Sequence, residues 1–266
     1  MKKHFLKAVV LIAVITGTIV SCDKDDNNDY PTPPQGPQAT ILSAAGDSAS
    51  IIGTINQFRS LLGDSLNLTP GKITGRREIN WDGVPSTFTN QNNFPVDFFN
   101  STIATDPNGR KRGLVYINAG NGFRVDSTSF SQIDPSYANQ FAVFSKKRLI
   151  TQIDNNVYEA EFKVPGTNTD AFVHGFGVIF SDVDDANSST LEFFDGNKSL
   201  GVFKAKSAAQ KFSFLGVYFQ YEKVTRIKFT TGNGFLAAGT KDISDGGNKD
   251  LVVLDDFFYN EPNSIQ

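Results

Sequence analysis

One cysteine, two histidines, one tryptophan and one methionine occur among 266 residues, and each scarcity narrows the chemistry. A lone Cys22 excludes an internal disulfide framework and a thiolate-built zinc cluster. His4 lies in the basic N-terminal segment, so His174 is the one histidine left downstream, which removes most histidine-centred catalytic sets. Excess positive charge is lacking too: 25 basic residues stand against 28 acidic ones, a net charge of −3. Lys2, Lys3 and Lys7 all precede Cys22, so from Cys22 onward 22 basic residues face the same 28 acidic ones, a balance of −6. Nucleic acid is therefore not an expected partner, because binding its phosphate backbone needs clustered cations. No Gly-x-Ser-x-Gly elbow and no phosphate-cradling glycine loop occurs. Phenylalanine, by contrast, is abundant at 24 residues, and the chain is long enough for one large β domain or two small ones with a real core.

The basic stretch Met1 to Lys7 is followed by an apolar run, Ala8 to Val20, that is shorter than the roughly 20 residues of a comfortable membrane span. That combination predicts an export signal over residues 1–21. The run ends in Ile19-Val20-Ser21-Cys22, which resembles the bacterial lipobox and implies lipidation of Cys22. Asp23-Lys24-Asp25-Asp26 resembles the acidic signal that sends Bacteroidetes lipoproteins to the outer leaflet of the outer membrane. An outer-membrane, lipid-anchored and surface-exposed location is what these resemblances imply. Residues 22–40 are rich in Asn, Pro, Gln and Gly and read as a flexible tether, leaving 41–266 as a single folded domain.

Within that domain Ile51, Ile52, Ile55, Phe58, Leu61 and Leu62 recur at helical spacing, with Asp47 or Ser48 as N-cap and Gly63 as stop. This predicts one amphipathic helix over about 48–62 that docks on a sheet. Downstream the period becomes two. Tyr158, Ala160, Phe162 and Val164 alternate with Glu159, Glu161 and Lys163, the pattern of a half-buried antiparallel strand. Comparable runs are Arg76 to Val84, Leu114 to Asn118, Gly175 to Phe180, Thr190 to Phe194, Ser199 to Phe203, Phe212 to Phe219, Val224 to Thr230 and Leu251 to Tyr259. Asp195-Gly196-Asn197 marks a hairpin between two of them. The fold class expected is mainly β: a two-sheet antiparallel sandwich, jelly-roll-like, with one N-terminal helix.

The block from Gly75 to Pro85, reading GRREINWDGVP, together with Phe94 to Asn100, Phe214-Leu215-Gly216-Val217 and the run DDFFYNEP from Asp255 to Pro262, resembles an uncharacterised family of exported bacterial proteins. The resemblance covers nearly all of the chain after Ser43. It implies a likeness to jelly-roll carbohydrate-binding and cell-surface domains, which often hold a structural calcium between an early segment and a late acidic one. Asp255 and Asp256 follow an apolar run, and alternation sends them to opposite faces. A buried carboxylate must be paired, hydrogen-bonded or metal-bound, and oxygen donors without His or Cys favour Ca²⁺. The calcium set expected is therefore Asp255 or Asp256 with Glu78, Asn80 or Asp82, the alternative being an aspartate paired with Arg76 or Arg77.

A second acidic loop, Asp182 to Asn187, lacks the EF-hand pattern and reads as a solvated turn in preference to a calcium loop, and Asp245 to Asp250 is read the same way. Trp81 is offered either as a sugar-stacking platform or as core, with core preferred. Glu159 and Glu161 stand about 7 Å apart along one strand face, a spacing that loosely suits glycosidase carboxylates, but the run lacks the third acid of laminarinase-type enzymes. The expectation for function is a non-catalytic binding module for glycan or a cell-surface partner, with a polysaccharide hydrolase or a purely structural envelope component as alternatives.

Overall fold

The computed structural model describes residues 36–266; the export signal and Cys22 lie outside the described residues. In chain order the elements are β1 (Ala39–Gly46), α1 (Ser48–Leu62), β2 (Arg76–Ile79), β3 (Gln91–Phe94), β4 (Leu114–Ile117), β5 (Phe123–Asp126), β6 (Leu149–Gln152) and β7 (Val157–Lys163). They continue with β8 (Asp170–Phe172), β9 (Gly175–Val183), β10 (Thr190–Asp195), β11 (Lys198–Lys204), β12 (Ala208–Phe219), β13 (Arg226–Thr230), β14 (Val253–Asn260) and β15 (Asn263–Ser264). Two antiparallel sheets form a sandwich. One has the order β1-β12-β9-β14-β6-β5-β3, with β2 also on β14; the other runs β11-β10-β13-β7-β8-β15, with β4 on β7.

The helix begins where its cap begins. Asp47 accepts a hydrogen bond from the Ser50 backbone N–H at 2.9 Å, and Gly63, at φ +128°, ends the helix. Ile51, Ile55, Phe58 and Leu62 are buried against the outer face of the larger sheet, whereas Ile52 and Leu61 stay exposed. The stripe that meets the sheet is therefore narrower than the helical spacing predicts. Phe58 packs over two glycines that face each other across β9 and β12, Gly177 and Gly216. A Cβ on either glycine would lie 2.7 Å from the Phe58 ring. Small residues in these two strands thus create the seat that a large helical side chain fills.

Because α1 covers one face and the second sheet the other, β9 is buried along its whole length. Phe176, Val178 and Phe180 enter the sandwich core, and Ile179 enters the cluster under the helix. The same division separates Phe257 from Phe258 on β14. In the second sheet the alternation of β7 is as read from sequence, with Tyr158, Ala160 and Phe162 inside. Gly196 and Asn197 form the two-residue turn between β10 and β11, Gly196 adopting φ +56°.

Several boundaries differ from expectation. The chain enters the fold earlier, since β1 starts at Ala39, inside the segment assigned to the tether, and pairs with β12 from Ala39↔Phe219 onward. The run Arg76 to Val84 is a strand only to Ile79; Trp81–Gly83 then form a 3₁₀ turn. β5 and β6 lie outside the expected runs, because β5 carries Arg124 and Asp126 as a buried ion pair at 2.6 Å, which hides the apolar alternation. The buried polar residues Thr151 and Gln152 disguise β6 in the same way.

Candidate functional site

The sequence block around Arg76 and the block ending at Pro262 meet as neighbouring strands, with Arg77 opposite Tyr259 in the β2–β14 pairing. Arg77 is fully buried and donates from Nε and Nη2 to the two carboxylate oxygens of Glu261, at 2.8 and 2.7 Å. Its remaining donors bond the carbonyls of Lys111 and Thr69, and the Asn67 amide donates to Glu261. Arg112 in turn donates to the Asn67 carbonyl at 2.9 Å and lends its own carbonyl to the Tyr259 hydroxyl. A buried ion pair so extensively satisfied holds loop 66–69 and loop 111–112 in one arrangement.

Those two loops, with the 3₁₀ turn after β2, enclose a cleft of about 410 Å³. Its walls include Leu66, Leu68, Pro85 and Pro107, and its charged lining is Glu78, Arg110 and Arg112. Leu66 and Leu68 are 42% and 58% exposed and present apolar surface to the cleft. Glu78 is neutralised: Arg59 from the helix and Arg76 both pair with it, and hydrogen bonds to these two hold its carboxyl below the ordinary range against the opposing effect of burial. Arg110 lies over the Phe98 ring at 4.6 Å and pairs with Asp106 at 2.8 Å, yet its Nε is buried with no hydrogen-bond partner among the described residues. Arg112 has no carboxylate within ion-pair distance among the described residues, only the Asn67 and Gly109 carbonyls. Burial lowers its pKa from the usual arginine value.

Among the described residues no three acids of the calcium set expected from sequence converge, although the Glu78 charge reaches Asp256. Glu78 is committed to two arginines, Asp82 accepts from the Lys147 backbone N–H at 3.1 Å, and Asn80 lines the cleft. Nor do Asp255 and Asp256 pair with Arg76 or Arg77, whose carboxylate partners are Glu78 and Glu261. Both aspartates are buried, and the expectation of opposite faces fails for a specific reason. Between Leu254 and Phe257 β14 carries one residue more than the Phe180 to Val178 stretch of β9, so a β-bulge interrupts alternation there. Ser145 Oγ consequently lies 3.1 Å from Asp255 Oδ1 and 2.6 Å from Asp256 Oδ1. Burial pushes Asp256 up to about 6, and burial together with the Asp256 charge raises Asp255 well above its usual value.

The carboxylates that do converge are two from the run Asp182 to Asn187, read as a solvated turn, and Asp242, which precedes the other acidic run. Asp182, Asp184 and Asp242 each place an oxygen within 4.8 Å of the other two. Asp182 is fully buried and takes hydrogen bonds from the Gln140 amide and the Gln210 backbone N–H; Asp242 is bonded by Ser244 and by the Leu251 backbone N–H. Burial raises Asp182 to about 6, and burial with the neighbouring Asp242 raises Asp184 to about 7. Asp250, adjacent and buried, bonds Ser188 and the backbone N–H groups of Asp184 and Asp185. Such crowding of acids is relieved by holding a proton or by a hard cation. The signal in the sequence was Asp182-x-Asp184; its partner Asp242 is distant in the chain, which is why the triad was not assembled from spacing.

Trp81 cannot be a stacking platform. It is fully buried, packs edge-to-face on Phe94, Phe99 and Phe257, and donates from Nε1 to the Asp255 carbonyl at 3.0 Å. Glu159 pairs with Arg226 and accepts from Asn118, and Glu161 lies 3.8 Å from Lys163, so both acids sit in a charged outer face. His174 Nδ1 bonds the Glu222 carbonyl at 2.9 Å. No protein-family model matches the chain, and no curated protein matches it.

Proposed function

We propose that this protein is a non-catalytic glycan-binding module, anchored to the outer membrane through lipid on Cys22 and presented at the cell surface. The cleft beside β2 carries the reading. It is concave, mostly apolar and furnished with a few fixed polar groups, as small-ligand sites usually are, and its 410 Å³ accommodates one or two sugar rings. The buried Arg77–Glu261 pair supports it by holding the surrounding loops, so that little ordering entropy accompanies binding. A structural calcium belongs to the proposal, with Asp182, Asp184 and Asp242 as its oxygen donors in place of the set centred on Asp255.

Probing a glycan array with the full chain tests this reading. Retention of defined glycans, without release of reducing sugar on prolonged incubation, is the expected result. Turnover that disappears in both Glu159→Gln and Glu161→Gln would overturn the non-catalytic assignment, and an array bare of signal would overturn glycan binding. The anchor has its own readout: a radiolabelled fatty acid incorporated by the parent chain and not by Cys22→Ala.

A further inference from the structure

Charge in the cleft runs against the charge of the chain. The chain as a whole is −3, yet the charges lining the cleft and their direct ion partners are Arg59, Arg76, Arg110 and Arg112 against Glu78 and Asp106, a local excess of two positive charges. Arg77 and Glu261 beneath cancel each other. Glu78 already has two guanidinium partners, so it offers little to a ligand cation. The opening for an anion is at Arg112, whose guanidinium meets carbonyl oxygens and no carboxylate among the described residues; Arg110, already paired with Asp106, adds its positive charge to the same cleft lining. A half-buried guanidinium with no carboxylate partner, as at Arg112, favours an anion, and a carboxylate supplies two acceptors in the geometry of its fork. Beside these cations stand the exposed aliphatic faces of Leu66 and Leu68, which suit the C–H face of a ring or a short hydrocarbon.

We infer that the cleft takes a carboxylate-bearing ligand, the anion on Arg112 within the added positive charge of Arg110, and the apolar face on Leu66 and Leu68. Resting on the glycan reading above, the ligand class is an acidic sugar of the uronate type. Arg112 is lowered by burial, and an anion at its guanidinium reverses that destabilisation, which agrees with the assignment.

The test is calorimetric titration of the full chain, in one nonionic detergent throughout, with three probes: a galacturonate trisaccharide, the matching neutral galactose trisaccharide, and hexanoate. The expected result is binding of the galacturonate with the neutral sugar about tenfold or more weaker, the loss of one charge-assisted hydrogen-bonded contact. Arg112→Gln should lose a similar factor. Because Arg112 also braces Asn67, a second variant guards against misfolding: Leu68→Glu, at an exposed position, leaves the thermal melt in place and repels the anion from the cleft mouth. Equal binding of both sugars overturns the anion assignment while leaving glycan binding intact. Binding of hexanoate alone supports the anion site and overturns the glycan reading. Galacturonate binding untouched by both variants overturns the location, and no binding of any probe overturns the carboxylate assignment, whereas signal on the array from other glycans would keep the broader reading.

Discussion

Glu261 binds Arg77 through both carboxylate oxygens, at 2.7 and 2.8 Å, with neither side chain exposed to solvent by more than 1%. The two residues are 184 positions apart, and the pair is the point at which an early arginine-rich block and the residue following β14 become one structure. Around it gather Asn67, Thr69, Lys111 and Tyr259, the supports of the cleft loops.

Removing one member of this pair leaves the other charged, buried and unmatched. Glu261→Gln and Arg77→Leu are each expected to destabilise by about 3–5 kcal/mol in urea titrations. The double variant should cost less than the two singles added together, because no orphaned charge remains. Additive losses would refute the coupling.

A methyl group at Gly216 or Gly177 would occupy the seat of Phe58. Gly216→Ala is expected to cost about 1–3 kcal/mol by overpacking. Phe58→Ala should cost about 3–5 kcal/mol by emptying the same seat. Placing alanine at both positions tests the complementarity: with the ring gone, the added Cβ should restore part of the lost stability, as read from the midpoint of denaturant unfolding.

Asp182, Asp184 and Asp256 have carboxyl groups raised to about 6, 7 and 6 in the folded chain, from an ordinary value of 3.8. A raised folded value means that the native state binds these protons more tightly than the unfolded chain. Their contribution is therefore fully present below about pH 4 and is lost as the pH rises through 6 to 7. Thermal melts across pH 4–8 should show this decline flattened in Asp184→Asn and in Asp256→Asn relative to the parent. An unchanged pH slope in both variants would assign the decline elsewhere.

Calcium and protons compete for the same oxygens in the triad. Added calcium should raise the melting temperature more at pH 8 than at pH 5, and Asp242→Asn should abolish the rise. Equal melts with calcium and with chelator at both pH values would mean that the triad carries protons and no ion.

The β class and the helix were legible in the sequence because both rest on local periodicity. Ile51, Ile55, Phe58 and Leu62 recur at helical spacing beside a capping Asp47, and Tyr158, Ala160 and Phe162 alternate with charges whichever strands lie next to them. Trp81 is in the core, as preferred from sequence, although it lies in a 3₁₀ turn and not in the strand expected to carry it. What tertiary structure decided were the relations between distant side chains. The bulge at Asp255 and Asp256 depends on register with β9, and the meeting of Asp182 and Asp184 with Asp242 depends on loops brought together by the sheets. The capture of Glu78 by Arg59 depends on where the helix docks. Carboxylates identical in sequence differ only in which donors and charges the fold sets against them, so the sequence determined that acids and arginines would be present, and packing decided which acids face arginines, which face one another, and which arginines are left to face a ligand.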